Sequence, residues 1–424
     1  MNYNTFLERF GLEPSNFKNK ECFVGKTENG FIYHLEQSDE RVECPYCGRI
    51  KLYIKGYYNE AINVTINSNE SDTLLIKRIR FKCRYCNKSF SPKIKGLMPY
   101  SNISNTIKSY ICLDFFKKQT FKEIAARYDI SESYVIKLFD DYFPYVPRRE
   151  LSEIICIDEF HFSKVYDQNY CCVLCDFVDK KIIDVLKNRQ KAYLEEYFKH
   201  FNSKELNTVK YYISDMYDEY RIIKHKFFPN AIHIVDLFHI ILQATNAVDT
   251  IRVKTMKDSV ERYSLEYNFM KKNWKCFLCK SSRIPNKTYT YKKTKERYSY
   301  YDLVYRCIKT NHNLLIAYGI LQDLFSYSKY KDENNISNFI DFISNRLIHS
   351  GCIELEKVGR TYLKWKIEII NAFSREAREK KLTNATAEGM NNQIKTMLKS
   401  AYGYENFERF RKRLMLIYAN KNDS

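Results

Sequence analysis

Three apolar runs, each ending on an aspartate and separated by helix-length segments, constrain this 424-residue chain more than any other feature. Residues 153–157 lead into Asp158-Glu159, residues 209–214 into Asp215, and residues 231–235 into Asp236. Between the first and second lie two more strand-like runs, 170–177 and 181–186, which Val178-Asp179-Lys180 joins as a hairpin. A helix over about 190–201 follows, and another over 216–228 separates the second aspartate-ended run from the third. The predicted order is therefore β-β-β-α-β-α-β.

That order is the one of the RNase H-like fold, in which the first and fourth strands are neighbours, so Asp158 and Asp215 can meet. Two carboxylates that meet repel unless a cation lies between them. Hard oxygen ligands select Mg²⁺ or Mn²⁺, and a pair of such ions about 4 Å apart can activate a nucleophile and stabilise the leaving oxygen of a phosphodiester. A third carboxylate is expected from a later helix. Glu388, within Thr383-Asn384-Ala385-Thr386-Ala387-Glu388-Gly389-Met390-Asn391-Asn392-Gln393-Ile394-Lys395, is the best candidate, because Glu388, Asn391, Asn392 and Lys395 fall on one helical face. Glu159 competes with Asp158, since strand alternation points only one of the two at the site.

The charge balance names a partner. Seventy Lys and Arg against 51 Asp and Glu leave +19, a field that favours polyanions, nucleic acid first. No apolar run approaches the roughly 20 residues that span a bilayer, and the N-terminal residues lack the apolar core of a signal peptide, so a cytosolic protein away from membranes is expected.

Fourteen cysteines in such a setting are read by spacing rather than as disulfides. Cys44-Pro45-Tyr46-Cys47 and Cys83-Arg84-Tyr85-Cys86 are two knuckles that together supply four thiolates for Zn²⁺. Gly48 and Asn87, which follow the second cysteine of each, suit the positive φ of a tight turn. Strand-like runs at 51–54 and 74–81 make this region, residues 1–95, a zinc ribbon. Cys172 and Cys175 lie in an apolar strand, where alternation sends one of the two into a core. Cys276 and Cys279 lie in an amphipathic helical stretch, and both pairs are read as packing.

Residues 120–139 carry a second DNA signature. Ile124, Ala125 and Tyr128 form the apolar stripe of a short helix, Asp129-Ile130 the turn, and Ser131 the cap of a second helix packed through Val135 and Leu138. In a helix-turn-helix the second helix enters the major groove, which would present Glu132, Ser133, Tyr134 and Lys137 to DNA. Phe143-Pro144-Tyr145-Val146-Pro147 reads as a linker. Beyond 237 the pattern is almost wholly helical. Trp274 and Trp365 are expected in the core of this part, with stacking at a flipped base or hairpin DNA end as the alternative, and Arg409, Arg411, Lys412 and Arg413 either touch phosphates or form a solvated helix face.

Ile157-Asp158-Glu159-Phe160, Ser214-Asp215-Met216-Tyr217, Asp236-Leu237-Phe238-His239, and Glu388 to Lys395 followed by Ala401-Tyr402-Gly403-Tyr404 together resemble the bacterial insertion-sequence transposases of the ISL-three family. The resemblance, with the ribbon and the helix-turn-helix, covers nearly the whole chain in order. It implies a DDE triad on Asp158, Asp215 and Glu388, with Asp236 and His239 as a secondary D-x-x-H signature and Asn392 and Lys395 beside it. It implies an α+β multi-domain chain: zinc ribbon (1–95), helix-turn-helix and linker (100–147), RNase H-like α/β core (150–240), a mostly helical insertion (241–380) and a C-terminal helical part of the core (381–424). The expected activity is binding of an element's terminal inverted repeats, then metal-dependent strand cleavage and transfer into target DNA. A dimer or higher assembly would join two ends, in the bacterial cytoplasm at the nucleoid. The alternatives are a transposase-derived DNA-binding protein without catalysis, and another RNase H-like nuclease.

Overall fold

The computed structural model describes residues 3–18, 21, 23–28, 30–40, 42–64, 72–97, 103–162, 170–326, 333–380, 382–400 and 406–418. The run Ala401 to Tyr404 lies outside them. The chain divides into two units, Met1–Pro147 with Met397–Ser424, and Arg148–Thr396.

In the first unit a helix absent from the sequence reading, α1 (Tyr3–Arg9), precedes strands β1 (Phe23–Thr27), β2 (Gly30–Glu36), β3 (Leu52–Asn63), β4 (Thr73–Cys83) and β5 (Ser89–Phe90). They form a sheet of order β1-β2-β4-β3, with β5 pairing β4. Strand β4 feeds two cores, one on each face. Leu74 and Ile76 join Leu7, Phe10 and Leu35, whereas Ile79, Phe81 and Cys83 join Cys44 and Leu52. Strand β3 runs far past the predicted 51–54. It pairs with β4 along its length, but it is the edge strand and most of its side chains stay exposed, which hides it from an apolar pattern.

Helices α2 (Asn105–Asp114), α3 (Phe121–Arg127) and α4 (Glu132–Tyr142) follow. Thr120 and Glu123 cap α3 reciprocally, and Ser131 Oγ accepts from Tyr134 N at 3.3 Å at the start of α4. Asp129 takes φ +50° in the turn between them, as its sequence position requires. The C-terminal helix, Phe407–Ile417, corrects both expectations for the basic tail. Arg413 is fully buried, its guanidinium over the rings of Phe115, Phe121 and Phe139 and donating to the carbonyls of Phe115, Lys117 and Gln119 just beyond α2. Arg409 and Lys412 bond Asp140, and Arg411 donates to the Val146 carbonyl. These cations satisfy the protein's own acceptors.

The second unit opens with β6 (Ile154–His161), β7 (Tyr170–Asp176) and β8 (Lys181–Leu186), then α5 (Lys191–Lys199), α6 (Ser203–Thr208), β9 (Tyr211–Ser214), α7 (Asp218–Phe227) and β10 (Ile232–Val235). The sheet order is β10-β9-β6-β7-β8, with β6, β9 and β10 parallel and β7 antiparallel to its neighbours. The first and fourth strands are neighbours, as the pattern requires. Cys172 and Cys175 are both fully buried. Strand β7 is covered on both faces, so alternation sends neither to solvent.

Helices α8 (Leu237–Asp258), α9 (Leu265–Lys272), α10 (Tyr300–Ile308), α11 (His312–Leu324), α12 (Glu333–Ile348), α13 (Ile353–Lys364), α14 (Lys366–Ala372), α15 (Arg375–Glu379) and α16 (Ala385–Ser400) complete it. The region is less purely helical than its pattern, since Thr288–Thr290 and Arg297–Ser299 form a small hairpin and Cys276 sits in a 3₁₀ turn. Trp365 is buried, but Trp274 is 41% exposed, against the expectation that both pack in the core. Gly359 lets α13 lie against α12: a Cβ there would come within 2.8 Å of the Ser344 carbonyl.

Candidate active site

Register in the sheet sets the site. Ile157 pairs with Ser214, and Ser214 with Val235. The next residue on each strand is an aspartate, so Asp236, Asp215 and Asp158 stand side by side across β10, β9 and β6, at a strand spacing of about 4.8 Å. Asp215 is the middle one. Burial first, and then the neighbouring Asp158 charge, push its carboxyl up to about 8. Burial likewise raises Asp158 and Glu388 above the usual carboxylate range.

Helix α16 and the residue before it close over this row. Asn384 donates its backbone N–H to Asp236 Oδ2 at 3.0 Å and its side-chain amide to Asp215 Oδ1 at 3.1 Å. Two turns on, Asn391 donates to Asp158 Oδ2 at 2.5 Å and to the Glu159 carbonyl at 2.9 Å. Asp236 caps α8, accepting from Phe238 N at 2.9 Å, which places His239 in the first turn with Nδ1 3.1 Å from Asp215 Oδ1. Donor atoms of Asp236, His239 and Glu388 all lie within 4.8 Å of one another. Glu388 thus stands closest to Asp236 and His239, while Asp158 and Asp215 adjoin along the sheet.

The donor set suits a divalent cation. Among the described residues, Asn384 Oδ1 and Asn391 Oδ1 are buried without a hydrogen-bond partner, although buried polar atoms are almost always paired. Two unpaired amide oxygens beside carboxylates with raised proton affinity make a pocket of negative potential, and hard oxygen donors favour Mg²⁺ or Mn²⁺ there.

The alternation question resolves on geometry. Asp158 faces Asn391, whereas Glu159 pairs with Arg189, whose guanidinium also lies 4.5 Å from the Tyr170 ring and 4.9 Å from the Tyr217 ring. Of the four residues expected on one face of α16, Asn391 is buried against the acids, whereas Asn392 and Lys395 are exposed. Sequence reasoning placed Asn391 on the Glu388 face but missed Asn384, which precedes α16 and bonds two of the acids. Its position four residues before Glu388, one turn away on the same face, was the available signal.

The other predicted residues fall in the first unit. Cys44 and Cys86 sulfurs are 3.6 Å apart and those of Cys47 and Cys83 3.7 Å, and all four gather within 4.8 Å. Tetrahedral zinc with Zn–S near 2.3 Å requires sulfurs about 3.8 Å apart, so the cluster fits. Gly48 and Asn87 both have the positive φ expected, +68° and +57°. Amides of Cys86 and Tyr85 pull the Cys83 thiol down to about 7, while the Cys47 thiol beside it is pushed up to about 11. Around this cluster, exposed tyrosines carry cations over their rings: Lys88 over Tyr46, Arg49 over Tyr85, Arg84 over Tyr53 and Arg80 over Tyr58. On α4, Glu132, Ser133 and Lys137 are exposed and Tyr134 is half-buried.

Comparison with known proteins gives two findings. The profile of a family described as "Transposase", the DDE type of the ISL-three group, matches residues 155–414. Over 119 residues the chain is 27% identical to an "ATP-dependent protease" of Lactococcus lactis subsp. lactis, a match covering 28% of this chain. The chain spans about a third of that relative's length (35%).

Proposed function

The chain belongs to the ISL-three family of DDE transposases, and from that premise we propose that it binds the terminal inverted repeats of its own element, cuts the 3′ strand at each end and joins it to target DNA. The observation that carries this reading is the row Asp158, Asp215, Asp236 on adjacent parallel strands, with Glu388 brought over it by α16.

In this reading the second unit is an RNase H-like core, interrupted by an insertion between Asp236 and Glu388. Asp158, Asp215 and Glu388 hold Mg²⁺ or Mn²⁺, with Asp236 and His239 completing the donor set. When bound, the ions supply charge neutralisation at the scissile phosphate and an activated water or 3′-hydroxyl. The protein's own part is positioning. Asn384 and Asn391 fix two carboxylates, and the raised proton affinities mean that cation binding displaces protons. Lys395, one turn beyond Asn391 and exposed, is placed to meet a DNA phosphate.

The first unit supplies recognition. The α3–α4 pair serves as a helix-turn-helix, with Glu132, Ser133, Tyr134 and Lys137 toward the major groove. The four cysteines hold Zn²⁺ in a ribbon whose cation-bearing tyrosine face suits a phosphate backbone. Joining two ends calls for at least a dimer.

A peptidase reading has one superficial support, the 2.8 Å contact between Ser214 Oγ and His233 Nε2. Both side chains are buried within the sheet, at 0% and 4% exposure, so no peptide carbonyl reaches the hydroxyl. The transposase reading is tested by incubating the protein with a labelled duplex carrying the element's ends and Mg²⁺. Cutting at the end boundary is expected; binding that never leads to cutting, in Mg²⁺ or Mn²⁺, contradicts it.

A further inference from the structure

The same Ser214–His233 contact belongs to a longer chain of buried polar groups that no step above uses. Ser214 is fully buried, and its hydroxyl donates to the Asp215 backbone carbonyl at 2.9 Å while lying 2.8 Å from His233 Nε2. A hydroxyl has one hydrogen. If it goes to the carbonyl, Nε2–H must donate to the serine oxygen. His233 is then the Nε2–H tautomer and Nδ1 carries a lone pair. Nδ1 indeed has no hydrogen-bond partner among the described residues, and it faces Glu368 Oε1, also an acceptor, at 3.9 Å.

Two facing acceptors hold their places only if something else fixes them. Arg221 binds the Glu368 carboxylate in bidentate fashion, at 2.6 and 2.9 Å, and its guanidinium lies 4.8 Å over the Trp365 ring. Asn371, one turn beyond Glu368 on α14, donates to the His233 backbone carbonyl at 2.8 Å. The imidazole is wedged between Tyr212 and Trp365, both edge-on. Helix α14 therefore holds His233 through its backbone carbonyl, with Trp365 packed on the ring, and His233 abuts the residue that precedes Asp215.

We infer that Ser214, His233 and Asn371 form a positioning network, braced by the Arg221–Glu368 pair beside the imidazole, through which the helical insertion holds the Asp215 carboxylate in the geometry that binds a divalent cation. This inference rests on the metal-dependent reading above. A buried charged chain is seldom the most stable filling for a core, since well-packed apolar side chains of similar volume serve as well or better. Ser214, His233 and Glu368 are buried, and Arg221 is partly so. What they act on is the backbone of Asp215, whose carboxylate Asn384 holds from the other side. Residues that orient metal ligands typically change metal affinity 10- to 100-fold when removed.

The test uses the full chain and Mn²⁺ as the probe. Calorimetric titration is run on wild type, Ser214→Ala and Ser214→Thr, each also assayed for cleavage of end DNA across a Mn²⁺ series. Expected are a Ser214→Ala protein that stays folded but melts somewhat lower than wild type, its buried His233 Nε2–H left unpaired, Mn²⁺ affinity weakened about tenfold, and cleavage lost at limiting Mn²⁺ but regained at saturation. Ser214→Thr, which keeps the hydroxyl, should bind as wild type does. Equal Mn²⁺ affinity in wild type and Ser214→Ala would overturn the network. Wild type that binds no Mn²⁺ would overturn the metal-dependent reading itself.

Discussion

Asn391 reaches across 233 residues of sequence to donate its side-chain amide to Asp158 Oδ2 at 2.5 Å, leaving its own Oδ1 buried and unpaired among the described residues. The amide fixes one carboxylate oxygen, and the Glu159 backbone N–H holds the other at 2.8 Å. Asn391→Ala should therefore lower the rate of end cleavage about 10- to 100-fold, with end binding within about twofold of wild type. Gel-shift and single-turnover cleavage on the same duplex measure the two effects separately.

The middle aspartate makes the metal-free protein sensitive to alkali. Asp215 is held up at about 8, through burial and then the charge of Asp158, against 3.8 ordinarily. A carboxyl raised on folding contributes stability that is fully present below about pH 4 and is lost as pH rises through about 8. Chelated Asp215→Asn protein should thus be more stable than chelated wild type at pH 9, by about 2 kcal/mol, and no more stable at pH 4. Denaturant melts at the two pH values in EDTA give the difference, and Mg²⁺ should narrow it at pH 9 by stabilising only wild type.

How much of this was legible in the sequence follows from where each side chain lies. The strand order and the row of aspartates come through because β9 and β10 are largely buried and give way to Asp215 and Asp236, although β6 runs on past Asp158 to His161 and a short helix, α6, intervenes before β9. The turn at Asp129 and the knuckle residues Gly48 and Asn87 show because positive φ restricts residue type. Tertiary pairing leaves no such mark. Nothing local distinguishes Asn391 from Asn392, yet one is buried on Asp158 and the other is exposed. Arg413 looks like any solvated arginine of a basic helix until Phe115, Phe121 and Phe139 are seen to enclose it. Strand β3 escapes at its full length because an edge strand need not be apolar.

Zinc should follow the knuckles and not the other close cysteines. Purified protein should carry about one zinc per chain by elemental analysis, the number a single four-thiolate site takes. Cys47→Ser should lose most of it, whereas Cys175→Ser should retain it, because Cys175 is buried in β7 and is not one of the four clustered sulfurs. Equal zinc in the two variants would remove the assignment.

Two basic residues should behave in opposite ways. Arg413→Ala removes a buried guanidinium from three carbonyls and should destabilise the protein by about 3 kcal/mol or more. Lys137→Ala, at an exposed position on α4, should leave the melting temperature unchanged and weaken end binding. It should also reduce the slope of log affinity against log salt by about one.

Single-turnover cleavage of a labelled duplex carrying the element's ends, in Mg²⁺, comparing wild type with Asp215→Asn, tests the central claim most directly. The account predicts cutting at the end boundary by wild type and a loss of about a thousandfold or more in the variant, since its cation site is broken while binding persists. Equal cutting by the two proteins would contradict it, and the carboxylates at the sheet's edge would then need another explanation.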